Sequence, residues 1–155
     1  MRLMRNLAKL VIILGIVGLV IGIVFIAQGM LKENWMVEAM QLEKVTFGLE
    51  ESAMARGEVI NSAGEAQLAG DLIREHRRNI APTYQDLLAG GRFDPANLSH
   101  LNYAQALNME NYLYLAVLGF GVTTMVIASG AFMIITGIAL CATGAVLHRL
   151  SGREP

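Results

Sequence analysis

Between Lys9 and Lys32 the chain runs for 22 residues, Leu10 to Leu31, without a charge. As a helix this run reaches about 33 Å, enough for the ~30 Å hydrocarbon core of a bilayer. A second uncharged run, 37 residues from Asn111 to Leu147, lies between Glu110 and His148. At about 55 Å it exceeds one crossing, while folding it back at Ala128-Ser129-Gly130 would leave two spans of only ~18 residues, the lower limit. The pattern therefore predicts two crossings, at 10–31 and at about 121–147. The second lies within one long helix that begins outside the membrane.

The polar segment between them reads as helical. Leu31 to Lys44 has no Gly or Pro, so the first helix continues outward, with Trp35 where an interfacial aromatic anchor belongs. Val45-Thr46-Phe47-Gly48 favours an extended stretch, and Gly57 marks a loop. Ser62-Ala63-Gly64-Glu65 has the form of a capping box, followed by Ala66, Ala69, Ile73, His76 and Ile80 at helical spacing. Pro82 separates this helix from a short one through Leu88, closed by Gly90-Gly91; Phe93-Asp94-Pro95 is a turn. From about Ser99 no proline interrupts a helix to His148. The expected fold is all-α, an integral membrane antiparallel two-helix hairpin with a small helical extracytoplasmic cap. Its divisions are a tail at 1–9, a span at 10–31, a cap at 32–110, a long helix at 111–147 and a tail at 148–155.

Composition agrees. Of 155 residues, 54% are hydrophobic and 16% charged, against ~25% charged in soluble domains, and the mean hydropathy is +0.48. These values argue against a soluble enzyme and a disordered chain. A net charge of −1 gives no footprint for nucleic acid, and a single cysteine, Cys141, excludes an intrachain disulfide. Arg2, Arg5 and Lys9 resemble a signal-peptide n-region, but the apolar run is too long and Phe25-Ile26-Ala27 is a poor cleavage site. An uncleaved anchor is expected. Basic residues dominate both tails, with Arg149, Arg153 and His148 against Glu154 at the second, whereas 32–110 holds 7 basic and 12 acidic residues. Both termini are therefore expected in the cytoplasm.

Small residues recur every seven positions in both apolar runs: Ala8, Gly15, Gly22 and Gly29, then Ala116, Thr123, Gly130, Gly137 and Gly144. Since lipid tails are as apolar as leucine, membrane helices associate through close packing, which small side chains permit. A heptad repeat keeps one face towards a partner crossed in the left-handed sense. In one antiparallel register Gly29 meets Thr123, Gly22 meets Gly130, Gly15 meets Gly137 and Ala8 meets Gly144; each pair of numbers adds to 152. Ser129, Thr136 and Thr143 run beside this row, and Gly18 with Gly22 forms a GxxxG suited to a second contact.

Little points to chemistry. A non-haem iron site needs two histidines and a carboxylate at one point. Only His76 and His100 with Glu75 or Asp71 offer this, beside the repelling charges of Arg77 and Arg78. No ionisable group falls inside either span, as a transporter would require, and no phosphate-binding loop or nucleophilic triad is present. No metal or cofactor is expected. Asn97-Leu98-Ser99 matches a glycosylation sequon, relevant only in a eukaryotic secretory lumen. The basic cluster Arg74, Arg77 and Arg78, with Trp35, is the candidate partner-binding surface.

Several short motifs resemble a family of small two-span bacterial membrane proteins common in actinobacteria. They are Glu43-Lys44-Val45-Thr46, the spaced Ala66, Ile73 and His76, Thr83-Tyr84-Gln85-Asp86-Leu87, and Leu118-Gly119-Phe120-Gly121-Val122. Family members are often labelled aromatic ring-opening dioxygenases and often carry cysteines in the outer segment, where this chain has none. The resemblance implies the two-span topology and a bacterial inner-membrane location, and no activity. The expected function is a non-catalytic accessory or scaffold subunit, with the lipid bilayer and other membrane subunits as partners. A self-assembling homo-oligomer is one alternative, and a redox or ligand-binding protein using His76 and His100 is another.

Overall fold

The computed structural model describes residues 2–46 and 48–152, without the side chain of Arg2. Phe47 of the expected extended stretch, and the Arg2 side chain, Arg153 and Glu154 of the tail-charge argument, lie outside what is described. The described residues form five helices and no strand: α1 (Arg2–Leu42), α2 (Glu51–Ala55), α3 (Ala63–Ile80), α4 (Tyr84–Leu88) and α5 (Leu98–Ser151). α1 and α5 are each long and apolar enough to cross a membrane. The chain divides into two compact units, Met1–Lys32 with Val122–Pro155, and Glu33–Gly121.

Helix ends follow local chemistry. α1 closes in a Schellman motif: Lys44 takes the left-handed position (φ 51), its N–H donates to the Gln41 carbonyl, and the Val45 N–H donates to Met40. α2 closes the same way around Gly57 (φ 74). At α3 the Ser62 hydroxyl accepts from the Glu65 N–H, while the Glu65 carboxylate accepts from the Asn61 N–H at 2.9 Å, one residue further back than in the standard box. Thr83 caps α4 by accepting from the Asp86 N–H. Asn97 of the sequon opens α5, its side-chain oxygen accepting from the Ser99 N–H at 3.0 Å.

Two features differ from the sequence reading. Val45 and Thr46 join no strand: the Val45 N–H donates back to Met40, and its carbonyl accepts from the Ile60 N–H at 2.9 Å, with no further ladder bond beside it among the described residues. α2 was not anticipated, although Glu51, Ala53, Met54 and Ala55 are all good helix formers.

In the unit Glu33–Gly121, Ile60, Ala66, Ala69, Ile73, Leu113, Ala116 and Phe120 form the core, flanked by Met36, Val37 and Met40. α3 buries Ala66, Ala69, Gly70, Ile73 and Arg77. The expected continuation through His76 and Ile80 is corrected: both are exposed, and the buried row passes through Arg77 because that side chain finds polar partners inside.

Candidate functional site

In the unit Met1–Lys32 with Val122–Pro155, the buried positions among the described residues are Ala8, Gly15, Gly22, Gly29, Thr123, Gly130, Gly137 and Gly144. Both helices contribute one residue per seven. A methyl group on Gly22 would stand 2.7 Å from the Gly130 carbonyl oxygen, and one on Gly130 would stand 2.7 Å from that of Gly22. Gly15 and Gly137 face one another's carbonyls at 2.8 and 2.7 Å in the same sense. A methyl group on Gly29 would stand 3.2 Å from the Thr123 carbonyl oxygen, and one on Gly144 would stand 3.0 Å from that of Ala8. Numbers rise along α1 as they fall along α5, so the helices run antiparallel at these contacts. Backbone against backbone leaves no room for a side chain.

Two polar side chains beside this row find carbonyl partners, one within its own helix and one across the contact. The Thr143 hydroxyl donates to the Ala139 carbonyl one turn back, at 2.8 Å. The Cys141 thiol donates across to the Ile12 carbonyl at 3.7 Å. Gly18 stands apart: a methyl there would meet Gly137 Cα at 3.6 Å, an ordinary contact.

The basic cluster on α3 is split. Arg74 pairs with Asp71 at 2.7 Å and lies over the Tyr114 ring at 5.8 Å, and the Tyr114 hydroxyl donates to the same carboxylate at 2.7 Å. Burial, and then the bond to Asp71, push the Tyr114 hydroxyl above its ordinary pKa. Arg77 is buried; its Nε donates to Glu110 at 2.7 Å and its NH1 to the Tyr103 hydroxyl at 2.5 Å. The Glu110 bond, more than any other influence, holds the Arg77 guanidinium above its usual pKa. Arg77 is thus committed internally and offers no surface to a partner, whereas Arg78 is exposed and Trp35 is 64% exposed.

Sequence reasoning took Arg77 for a surface charge and did not connect it with Glu110. The available signal was Glu110 itself, the last charge before 37 uncharged residues on a helix otherwise rich in apolar positions. Among the described residues no three His, Cys, Asp or Glu side chains come together as a metal site. His100 accepts the Asp94 N–H through Nδ1 at 3.0 Å.

Comparison of the chain with protein-family models, curated proteins and solved structures gives no match. The resemblance to the two-span family therefore rests on its short motifs alone.

Proposed function

We propose that the protein is a non-catalytic accessory or scaffold subunit of a multi-subunit membrane complex. In this reading α1 and α5 form an antiparallel membrane hairpin, with 10–31 and about 121–147 in lipid. Both tails lie in the cytoplasm of a bacterial cell, and 32–110 forms a helical cap outside it. One observation carries the reading: the most apolar 18-residue window of each long helix is only 11% buried. The core helix of a soluble protein would be mostly buried. Here the contact between the helices uses one narrow row, and Ile13, Val17, Phe132, Ile135 and Ile138 remain exposed. Apolar surface of that extent needs lipid or partner helices to cover it. The acidic cap, with Arg78 and Trp35 exposed, supplies a second surface for partners.

Native mass spectrometry of gently solubilised membranes tests this. The expected result is one copy of the chain among unlike subunits. A ladder of identical copies would contradict it and support the self-assembling alternative, which would have to use the exposed apolar faces of the helices, since Gly22 of the GxxxG pair is taken up against Gly130 within the chain.

A further inference from the structure

The unit Glu33–Gly121 holds an open groove of about 460 Å³, within the ~300–1,000 Å³ range of small-molecule sites. It is lined by the aromatic residues Tyr84 and Phe93, by Ala104 and Leu107, and by the amide residues Gln105, Asn108 and Asn111; no charged residue lines it among those described. The amides recur every third residue of α5 and so occupy neighbouring turns of one helix face. All three are exposed and form no hydrogen bond with another described residue. Each keeps two donors and a carbonyl acceptor available.

The aromatic walls are fixed from behind. Tyr84 packs on Tyr103 with ring centroids 6.2 Å apart, and Tyr103 is buried and bonded to Arg77. Phe93 stacks on His100 at 5.6 Å and 29°, and His100 is held by the Asp94 N–H. Two anchored ring faces and a ladder of free amides form a preorganised surface, which lowers the cost of binding.

We propose that this groove binds a neutral glycan chain. Sugar hydroxyls both donate and accept, as side-chain amides do, and the C–H faces of a pyranose suit aromatic rings. The uncharged lining offers no counter-charge to a phosphate, carboxylate or ammonium ligand. The open form lets a chain enter and leave. Polyproline-form peptides also dock in aromatic-lined grooves, so the test below sets a peptide against the sugars.

The test uses the full chain in phospholipid nanodiscs free of glycosidic detergent, with chitotetraose and cellotetraose as probes in saturation-transfer NMR. Transfer to at least one tetrasaccharide is expected. The variant carrying Gln105→Ala and Asn108→Ala is expected to weaken binding about tenfold, the loss of two ordinary hydrogen bonds, with an unchanged circular dichroism spectrum. Phe93→Ala provides an independent second variant, expected to weaken transfer as well. Absence of transfer to both sugars, wild-type transfer in both variants, or transfer only to a neutral asparagine–glycine tetrapeptide would overturn the proposal.

Discussion

Replacing Gly22 by leucine is expected to cost the protein about 3 kcal/mol or more, which for a chain of this size lowers Tm by roughly 6–12 °C. The reason is geometric. The first side-chain carbon alone would stand 2.7 Å from the Gly130 carbonyl oxygen and 3.1 Å from the Ile134 backbone nitrogen. Backbone atoms cannot move aside as a flexible side chain can, so the helices must separate along their length and lose the contacts at Gly15 and Gly29 as well. Gly130→Leu is expected to act alike, because its contact is the reciprocal one. Gly18→Ala is the control. At 3.6 Å from Gly137 Cα the added methyl makes an ordinary contact, and Tm should stay near wild type. Thermal unfolding of the detergent-solubilised protein, followed by circular dichroism, reads all three; equal behaviour of Gly22→Leu and Gly18→Ala would show that the contact row does not hold the helices together.

Removing the Arg77 side chain is expected to be of similar size, about 3–5 kcal/mol, because it strands a carboxylate in the interior. Glu110 is 9% exposed at its side chain and Arg77 10%, so neither can recover water by a small rotation. Arg77→Met removes the donor to Glu110 and also the N–H that the Tyr103 hydroxyl accepts. The diagnostic is the double variant Arg77→Met with Glu110→Leu. Two apolar side chains in place of a buried ion pair are often neutral or better, so the double variant should recover most of the lost stability. If it is as unstable as the sum of two damaging single changes, the pair is not the isolated buried unit described above.

The heptad of small residues stands out in the sequence because close helix approach admits nothing larger, and a constraint that strict leaves a periodic trace. The four pairs whose numbers add to 152 are the ones whose backbones meet. The long helices are legible for a related reason: runs of 22 and 37 uncharged residues without proline leave few other conformations. The polar segment is harder. α3 shows through its cap at Ser62, yet its buried face ends at Arg77, since hydrophobic spacing cannot reveal that Glu110 and Tyr103, 33 and 26 residues on, will receive that charge. α2 was missed because five residues carry no periodicity. The amide and aromatic groove assembles residues from α4, the turn at Phe93 and α5, which only the folded chain brings together.

The most direct test of the central claim, that α1 and α5 meet along their glycine row within a bilayer, uses the native Cys141. Its thiol lies 3.7 Å from the Ile12 carbonyl, while Ile13 is 57% exposed. In nanodiscs, under mild oxidation, Ile12→Cys is expected to form an intrachain disulfide with Cys141, and Ile13→Cys is expected to form none. Failure of Ile12→Cys to close within the chain, or equal closure from Ile13→Cys, would contradict the account.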